Sequence, residues 1–110
     1  MSVEIIYTPD FERQFKRLTK KYTSLPSDLA KLASQLTAQP DLGTPLGSNL
    51  FKIRLKVTSK GKGKSGGARV ITFLLRQDEE LYLIAIYDKS EIDTLSKEQI
   101  RDVINRAGLF

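Results

Sequence analysis

Two apolar runs in the second half of the chain constrain its fold most strongly. Ala68–Leu75 and Leu81–Tyr87 are apolar on both faces, and the polar residues 76–80 separate them. A strand that is apolar on both faces must be covered on both sides, either by helices or by another layer. A short polar connection between two such runs is typical of a β-hairpin. We therefore expect these runs to form paired central strands.

The segments around this hairpin predict three helices and two further strands. Thr8 and Pro9 are typical of a helix start, and Ser96 with Gln99 forms a capping box. In chain order, the predicted elements are a strand at Val3–Tyr7, a helix from about Pro9 to Lys21, a helix from near Ser27 to before Pro40, a loop at Asp41–Asn49, a strand at Leu50–Val57, the two central strands, and a helix from Ser96 that ends at Gly108. The predicted fold class is α+β, a single domain over residues 1–110 with the order β-α-α-β-β-β-α. We expect a mainly antiparallel sheet with a helical hairpin packed on it.

The strand at Leu50–Val57 has one apolar face and one basic face. Ile53, Leu55 and Val57 alternate with cations, because successive side chains point to opposite faces of a strand. The basic residues, continued through the glycine-rich loop and into the next strand, are Lys52, Arg54, Lys56, Lys60, Lys62, Lys64 and Arg69. No acidic residue lies between Lys52 and Arg76, although the whole chain has eighteen basic and thirteen acidic residues. This distribution predicts an anionic partner.

The chain contains no histidine and no cysteine, which excludes the usual general base, thiolate chemistry and most transition-metal sites. Asp88, Glu91 and Asp93 lie close in sequence, but carboxylates in such a segment more often cap a turn. Residues 63–65 (Gly-Lys-Ser) resemble the end of a P-loop, but the required first glycine is missing and a strand follows. We expect neither a metal nor another cofactor.

RNA is the anion that suits a cationic cleft without histidine, because its 2′-hydroxyl supplies the nucleophile. Arginine can position the phosphate and stabilise its charge, and a lysine crowded by other cations can act as the base. The candidate catalytic residues are Arg54, Lys56, Arg69, Tyr87 and Lys89; the candidate RNA-binding residues are Lys52, Lys60, Lys62 and Lys64. The competing interpretations are that Lys52 only keeps a sheet face soluble, that the loop lysines bind nothing specific, and that the Tyr87 hydroxyl lies in water.

Three segments resemble toxins of the RelE/ParE superfamily, with the HigB-like branch of the RelE group as the nearest likeness. They are residues 52–54 (Lys-Ile-Arg), residues 59–71 with their glycine-lysine run before Arg69, and residues 83–91 around Tyr87. The resemblance implies the RelE-like microbial RNase-type fold and a toxin of a type II toxin–antitoxin pair. It further implies a ribosome-dependent, metal-independent endoribonuclease that cuts mRNA in the 30S A site, and a cognate antitoxin as partner.

By position, the family's basic strand residues correspond to Arg54 and Lys56, and its strand-start arginine corresponds to Arg69. The family's further arginine after the last central strand and its tyrosine in the last helix are absent here. Tyr87 and Lys89 are the candidate substitutes.

Two alternatives remain open on the sequence. One is a ParE-like inhibitor of DNA gyrase, and the other is a nucleic-acid-binding module without catalysis. The outer face of the first helix, with Arg13, Lys16, Arg17 and Lys20, is either a solvated surface or a second contact to a large RNA. No apolar run reaches the ~20 residues that span a bilayer, and the N-terminus does not resemble a signal peptide. We expect a cytoplasmic protein that does not bind membranes.

Overall fold

The computed structural model describes residues 3–60, 67–92 and 95–109. Within these ranges the chain forms five strands and three helices. They are β1 (Glu4–Tyr7), α1 (Pro9–Lys21), α2 (Leu25–Ala38), β2 (Thr44–Gly47), β3 (Leu50–Leu55), β4 (Ala68–Leu75), β5 (Glu80–Asp88) and α3 (Lys97–Arg106). None of these helices is long and apolar enough to cross a membrane.

The strands form one sheet in the order β1-β5-β4-β3-β2. β1 pairs with β5 in parallel, and the other three pairs are antiparallel. The doubly apolar strands β4 and β5 lie inside the sheet, as their sequences predict. The predicted α+β class, with a mainly antiparallel sheet and a helical hairpin packed on it, is confirmed.

The two faces of the sheet carry separate apolar cores, because β4 and β5 present side chains to both. α1 and α2 cover one face, which we call the hairpin face, and α3 covers the other, the α3 face. The hairpin face includes Phe11, Leu18, Leu29, Leu32, Leu36, Phe51, Ile53, Leu55, Val70, Leu74, Leu81, Leu83 and Ile86. The α3 face includes Ile71, Phe73, Ile84, Ala85, Tyr87, Ile100, Val103 and Ile104.

A β-bulge between β4 and β5 changes which face the end of β5 presents. Ile71 lies opposite Ala85 and Thr72 lies opposite Leu83, so Ile84 has no partner residue on β4. An extra residue reverses the alternation of side chains beyond it. Leu81 and Leu83 therefore face the helical hairpin, whereas Tyr87 faces α3.

Two predicted boundaries and one predicted loop were wrong. α2 begins at Leu25 rather than near Ser27, because Pro26 is tolerated in the first helical turn, where amides have no intrahelical partner. β3 ends at Leu55 rather than Val57, since a 3₁₀ turn follows at Thr58–Lys60.

The third error concerns the segment at Asp41–Asn49, which was predicted to be a loop but contains the edge strand β2. Ser48 and Asn49 both adopt positive φ, as a two-residue hairpin turn requires, and join β2 to β3. Pro45 is compatible with a strand only at a sheet edge, and β2 occupies such an edge.

Candidate functional site

Three candidate residues form one row across the α3 face. Arg54 of β3 lies directly opposite Arg69 of β4, and Arg69 lies directly opposite Tyr87 of β5. Residues paired in this way have Cβ atoms about 5 Å apart, and like charges in such a pair are unfavourable. The row lies where β3 and β5 end and β4 begins, so the loop between β3 and β4 leaves the sheet beside it.

The two arginines of the row differ in exposure. Arg69 is only 7% exposed, and its Nη1 donates a hydrogen bond to the Ala68 carbonyl oxygen at 3.2 Å. Arg54 is exposed. Gly67 has a positive φ, and a Cβ there would overlap the Leu55 carbonyl oxygen. Glycine therefore allows β4 to start close against β3, which brings Arg69 beside Arg54.

Tyr87 is more deeply buried than a tyrosine at a strand end with its hydroxyl in water would be. The residue is 3% exposed, and it belongs to the apolar cluster that contains Ile100 and Ile104 of α3. Its buried hydroxyl has no hydrogen-bond partner among the residues that the structure describes. A catalytic role for this hydroxyl, which stays a prediction, requires that it become accessible to a substrate.

The remaining candidate cations surround the row. Lys52 is half-buried and lies two residues before Arg54 on the same face of β3. Lys56 is exposed and follows the last residue of that strand. Lys89 follows β5, and its amide donates to the Gly67 carbonyl oxygen at 3.1 Å. Only the backbone of Lys60 is described, and Lys62 and Lys64 lie outside the described residues. The structure thus gathers Lys52, Arg54, Lys56, Arg69, Tyr87 and Lys89 at one end of the sheet.

A pocket of about 400 Å³ lies beside this row, between α3 and the strands. Its lining includes Lys52 and Tyr87 and also Lys97 and Arg101 of α3, which were not among the predicted site residues. Residues 97, 100, 101 and 104 share one helical face, since they are separated by three, four and seven positions. This helical spacing is visible in the sequence: Lys97 and Arg101 each lie three residues before an apolar residue of α3, Ile100 and Ile104. It was the signal that could have identified the two cations as neighbours of the pocket.

The acidic residues at and just after the end of β5 form ion pairs on the hairpin face. The Asp88 side chain is fully buried, and one of its oxygens lies 3.2 Å from Lys21 Nζ. Glu91 pairs with Arg17 at 3.1 Å. Within the described ranges, no group of three or more carboxylates is arranged to hold a metal ion, and Asp93 lies outside those ranges.

The cations of α1 are mostly engaged inside the molecule. Arg17 and Lys21 form ion pairs with acids at or just after the end of β5, and Arg13 forms an ion pair with Asp10. Asp10 also binds Arg106 of α3 at 2.8 Å. These contacts give Arg13, Arg17 and Lys21 a structural role, whereas Lys16 and Lys20 are exposed, and a second RNA contact by α1 stays a prediction.

Comparison with known proteins agrees with this architecture. A family model described as the RelE toxin of the RelE/RelB toxin–antitoxin system matches residues 11–109. The free-state structure of an E. coli toxin RelE mutant with two arginines changed to alanine has a similar fold, with a TM-score of 0.65 at 14% identity. The match covers 96% of this chain and 98% of that chain. A closer relation to the HigB-like branch stays a prediction. The chain belongs to the RelE family of toxins.

Proposed function

We propose that this toxin is a ribosome-dependent mRNA endoribonuclease that needs no metal ion. The proposal starts from membership of the RelE toxin family. It is carried by one observation, the direct pairing of Arg54 with Arg69 on neighbouring strands. Arginines at directly opposed positions of two strands concentrate positive charge on one face of the sheet, and such a concentration of charge attracts an anion. Their forked donors match the non-bridging oxygens of a phosphate.

The chemistry uses groups of the RNA and of this chain alone. The 2′-oxygen attacks the adjacent phosphorus, the bond from phosphorus to the 5′-oxygen breaks, and the products are a 2′,3′-cyclic phosphate and a 5′-hydroxyl. Arg54 and Arg69 stabilise the charge that develops on the phosphoryl oxygens. Lys56 and Lys89 are candidates for accepting the proton from the 2′-hydroxyl, and Lys89 or Tyr87 for donating one to the leaving oxygen.

The shape of the site favours a substrate that another particle presents. Arg54 and Lys56 lie on an open surface at the end of the sheet. An open surface binds phosphates without fixing the in-line geometry that the attack requires. We infer that the 30S A site of the ribosome holds the mRNA, that the reaction takes place in the cytoplasm, and that a cognate antitoxin covers these cations to neutralise the toxin.

Primer extension on a defined mRNA in a bacterial translation extract tests the proposal. Arg54→Ala is the most informative variant, because the Arg54 side chain is exposed and its removal leaves the apolar cores intact. We expect Arg54→Ala and Arg69→Ala to reduce cleavage by about 100-fold or more, the loss typical when one donor to a developing oxyanion is removed. Arg76→Ala, an exposed arginine beyond the other end of β4, is the matched control and should cleave as wild type does.

The same experiment separates the alternatives. Cuts that disappear without ribosomes and in both site variants support the proposal. Wild-type cleavage by both variants would remove the arginine pair from the site. Growth arrest without cuts would indicate gyrase as the target, which a supercoiling assay then tests. Salt-sensitive RNA binding without any product would indicate a binding module.

A further inference from the structure

Asp88 anchors the end of β5 to the turn between α1 and α2. Its Oδ2 accepts hydrogen bonds from the Tyr22 hydroxyl at 2.6 Å and from Lys21 Nζ at 3.2 Å. Its Oδ1 accepts from the Ser90 amide at 2.9 Å and from the Ser90 hydroxyl at 2.7 Å. The carboxylate is therefore fixed on both oxygens, and it lies between Tyr87 and Lys89 in the sequence.

Asp28 makes a comparable anchor for the segment that follows β3. Its Oδ1 accepts from the Thr58 hydroxyl at 2.8 Å, and its Oδ2 accepts from the Thr58 amide at 3.0 Å. Ser24 donates to the same Oδ2 at 2.7 Å and accepts from the Ser59 amide at 2.8 Å. Asp28 is 5% exposed. These bonds hold the start of the basic loop two residues after Lys56.

The two anchors meet in one short stretch of chain, residues 21–28, which runs from the last residue of α1 into the first turn of α2. Lys21 and Tyr22 contact the end of β5, and Ser24 and Asp28 contact the segment after β3. The stretch is itself ordered by backbone hydrogen bonds from the Leu25 amide to the Tyr22 carbonyl at 3.1 Å and from the Asp28 amide to the Ser24 carbonyl at 2.9 Å. It lies on the hairpin face, opposite the candidate catalytic row.

We propose that residues 21–28 form a shared positioning anchor that sets the two sides of the candidate site relative to each other. Lys56 lies on one side, just before the anchored residues Thr58 and Ser59, and Tyr87 and Lys89 lie on the other. The proposal rests on the proposed RNA cleavage for its catalytic consequence only. None of the anchor residues belongs to the candidate catalytic row; they act through the segments that they hold.

The physical argument is one of geometry. Lys56 and Lys89 both leave the ends of strands, where the sheet no longer fixes the backbone. A displacement of about 1 Å in a catalytic group is enough to reduce a rate by about 100-fold. Buried carboxylates whose acceptors are all used resist such displacement, because breaking one bond leaves a desolvated charge partly unpaired. The anchor thus supplies rigidity where the strands end.

Tyr22→Phe is the sharpest test, because it removes one hydroxyl from Asp88 and keeps the ring. Tyr82→Phe is the matched control: it removes a tyrosine–carboxylate bond, to Glu80 at 2.8 Å, near the opposite end of β5. Amide hydrogen exchange of the isolated toxin is measured first. We expect Tyr22→Phe to accelerate exchange of the Lys89 and Ser90 amides about fivefold, and Tyr82→Phe to leave them unchanged.

Coupling between the two sides is the second readout. If the anchor is shared, Tyr22→Phe also accelerates exchange at the Thr58 and Ser59 amides, and Ser24→Ala also accelerates exchange at Ser90. In the double variant Tyr22→Phe/Ser24→Ala, the change in exchange free energy then differs from the sum of the two single changes. Effects that remain confined to the mutated side and add independently would overturn the shared anchor.

Cleavage kinetics complete the test. We expect Tyr22→Phe to lower kcat about tenfold with a smaller change in KM, since positioning is lost and phosphate binding is kept. A kcat equal to that of Tyr82→Phe would contradict the positioning role. Hydrogen exchange is measured without RNA, so it tests the anchor independently of the proposed function. If the wild-type toxin cleaves no RNA, the proposed function is refuted, and the exchange data still decide whether the anchor exists.

Discussion

At the scale of single residues, Tyr87 has the most constrained environment in the candidate site. Its ring contributes to the core under α3, and its buried hydroxyl has no hydrogen-bond partner among the described residues. A buried hydroxyl without a partner lowers stability, because it has lost its water and gained no bond. Tyrosine at this position therefore carries a cost that phenylalanine would avoid.

We expect Tyr87→Phe to raise the free energy of unfolding by about 1 kcal/mol. Urea denaturation measures this change. Tyr82→Phe, whose hydroxyl does have a carboxylate partner, should lower stability by a similar amount and serves as the control. A loss of stability in Tyr87→Phe would show that the hydroxyl is satisfied in solution. Cleavage by the same variant then decides its catalytic role, because removing a general acid or base reduces kcat by about 100-fold or more.

Asp28 provides a prediction about pH. Burial alone would raise the pKa of Asp28, but the hydrogen bonds from Ser24 and Thr58 outweigh burial and hold its pKa below the ordinary value. A lowered folded-state pKa stabilises the protein fully above the ordinary aspartate pKa of about 4. That stabilisation is lost as the pH falls through the lower folded-state value.

Asp28→Asn should therefore lower stability by about 2 kcal/mol at neutral pH, and its stability should fall less steeply than that of wild type between about pH 5 and pH 2. Urea midpoints measured across this range give both quantities. Asp41→Asn, in the exposed segment after α2, is the control. Parallel pH profiles for wild type and Asp28→Asn would contradict the assignment.

The residues of the row were predictable from sequence to different degrees. Arg54 and Arg69 follow from strand alternation and from the start of an apolar run, which are local signals. Tyr87 has the same parity as Leu81 and Leu83, so alternation alone places it on the hairpin face. Only the bulge at Ile84 brings it to the α3 face, and a bulge depends on how two strands pair rather than on one strand's composition.

At the scale of elements, α3 is the helix that borders the candidate site. Its capping box and apolar stripe were visible in the sequence and are confirmed. The packing of α3 against β4 and β5 was not visible in the sequence. This packing brings Lys97 and Arg101 to the pocket beside Lys52. Both are exposed. They extend the cationic surface of β3 onto a second element.

We expect Lys97→Ala and Arg101→Ala each to weaken RNA binding and to reduce the salt slope by about 0.7, the value for one phosphate contact on a single strand. Fluorescence anisotropy with a 2′-O-methyl oligonucleotide measures binding without cleavage, since that RNA lacks the nucleophile. Lys20→Ala, an exposed lysine of α1, is the matched control. If the salt dependence of binding is unchanged in both α3 variants, α3 does not contact the RNA.

β2 illustrates what element prediction misses. Its sequence, Thr-Pro-Leu-Gly, contains two residues that strands avoid, and its four residues are all exposed. It forms because Ser48 and Asn49 accept positive φ and return the chain onto β3. Such a strand is defined by its partner, so neither alternation nor propensity identifies it.

At the scale of the whole molecule, the two faces of the sheet carry different groups of residues. The hairpin face carries the larger apolar core and the buried carboxylates Asp28 and Asp88, and the α3 face carries the paired arginines. Strands that are apolar on both faces were enough to predict a sheet covered on both sides. The strand order was not predictable in the same way, because the parallel pairing of β1 with β5 joins segments that are far apart in sequence.

That distant pairing has a consequence for when the site comes into existence. Every cation of β3 and Arg69 precede β5 in the chain, and the row forms when β5 pairs with β4; the sheet is complete only when β5 also pairs with β1. Closing so long a loop makes this a slow, late step in assembly. A chain that is still being made thus carries the basic residues of β3 and β4 before the sheet that holds the candidate site is complete.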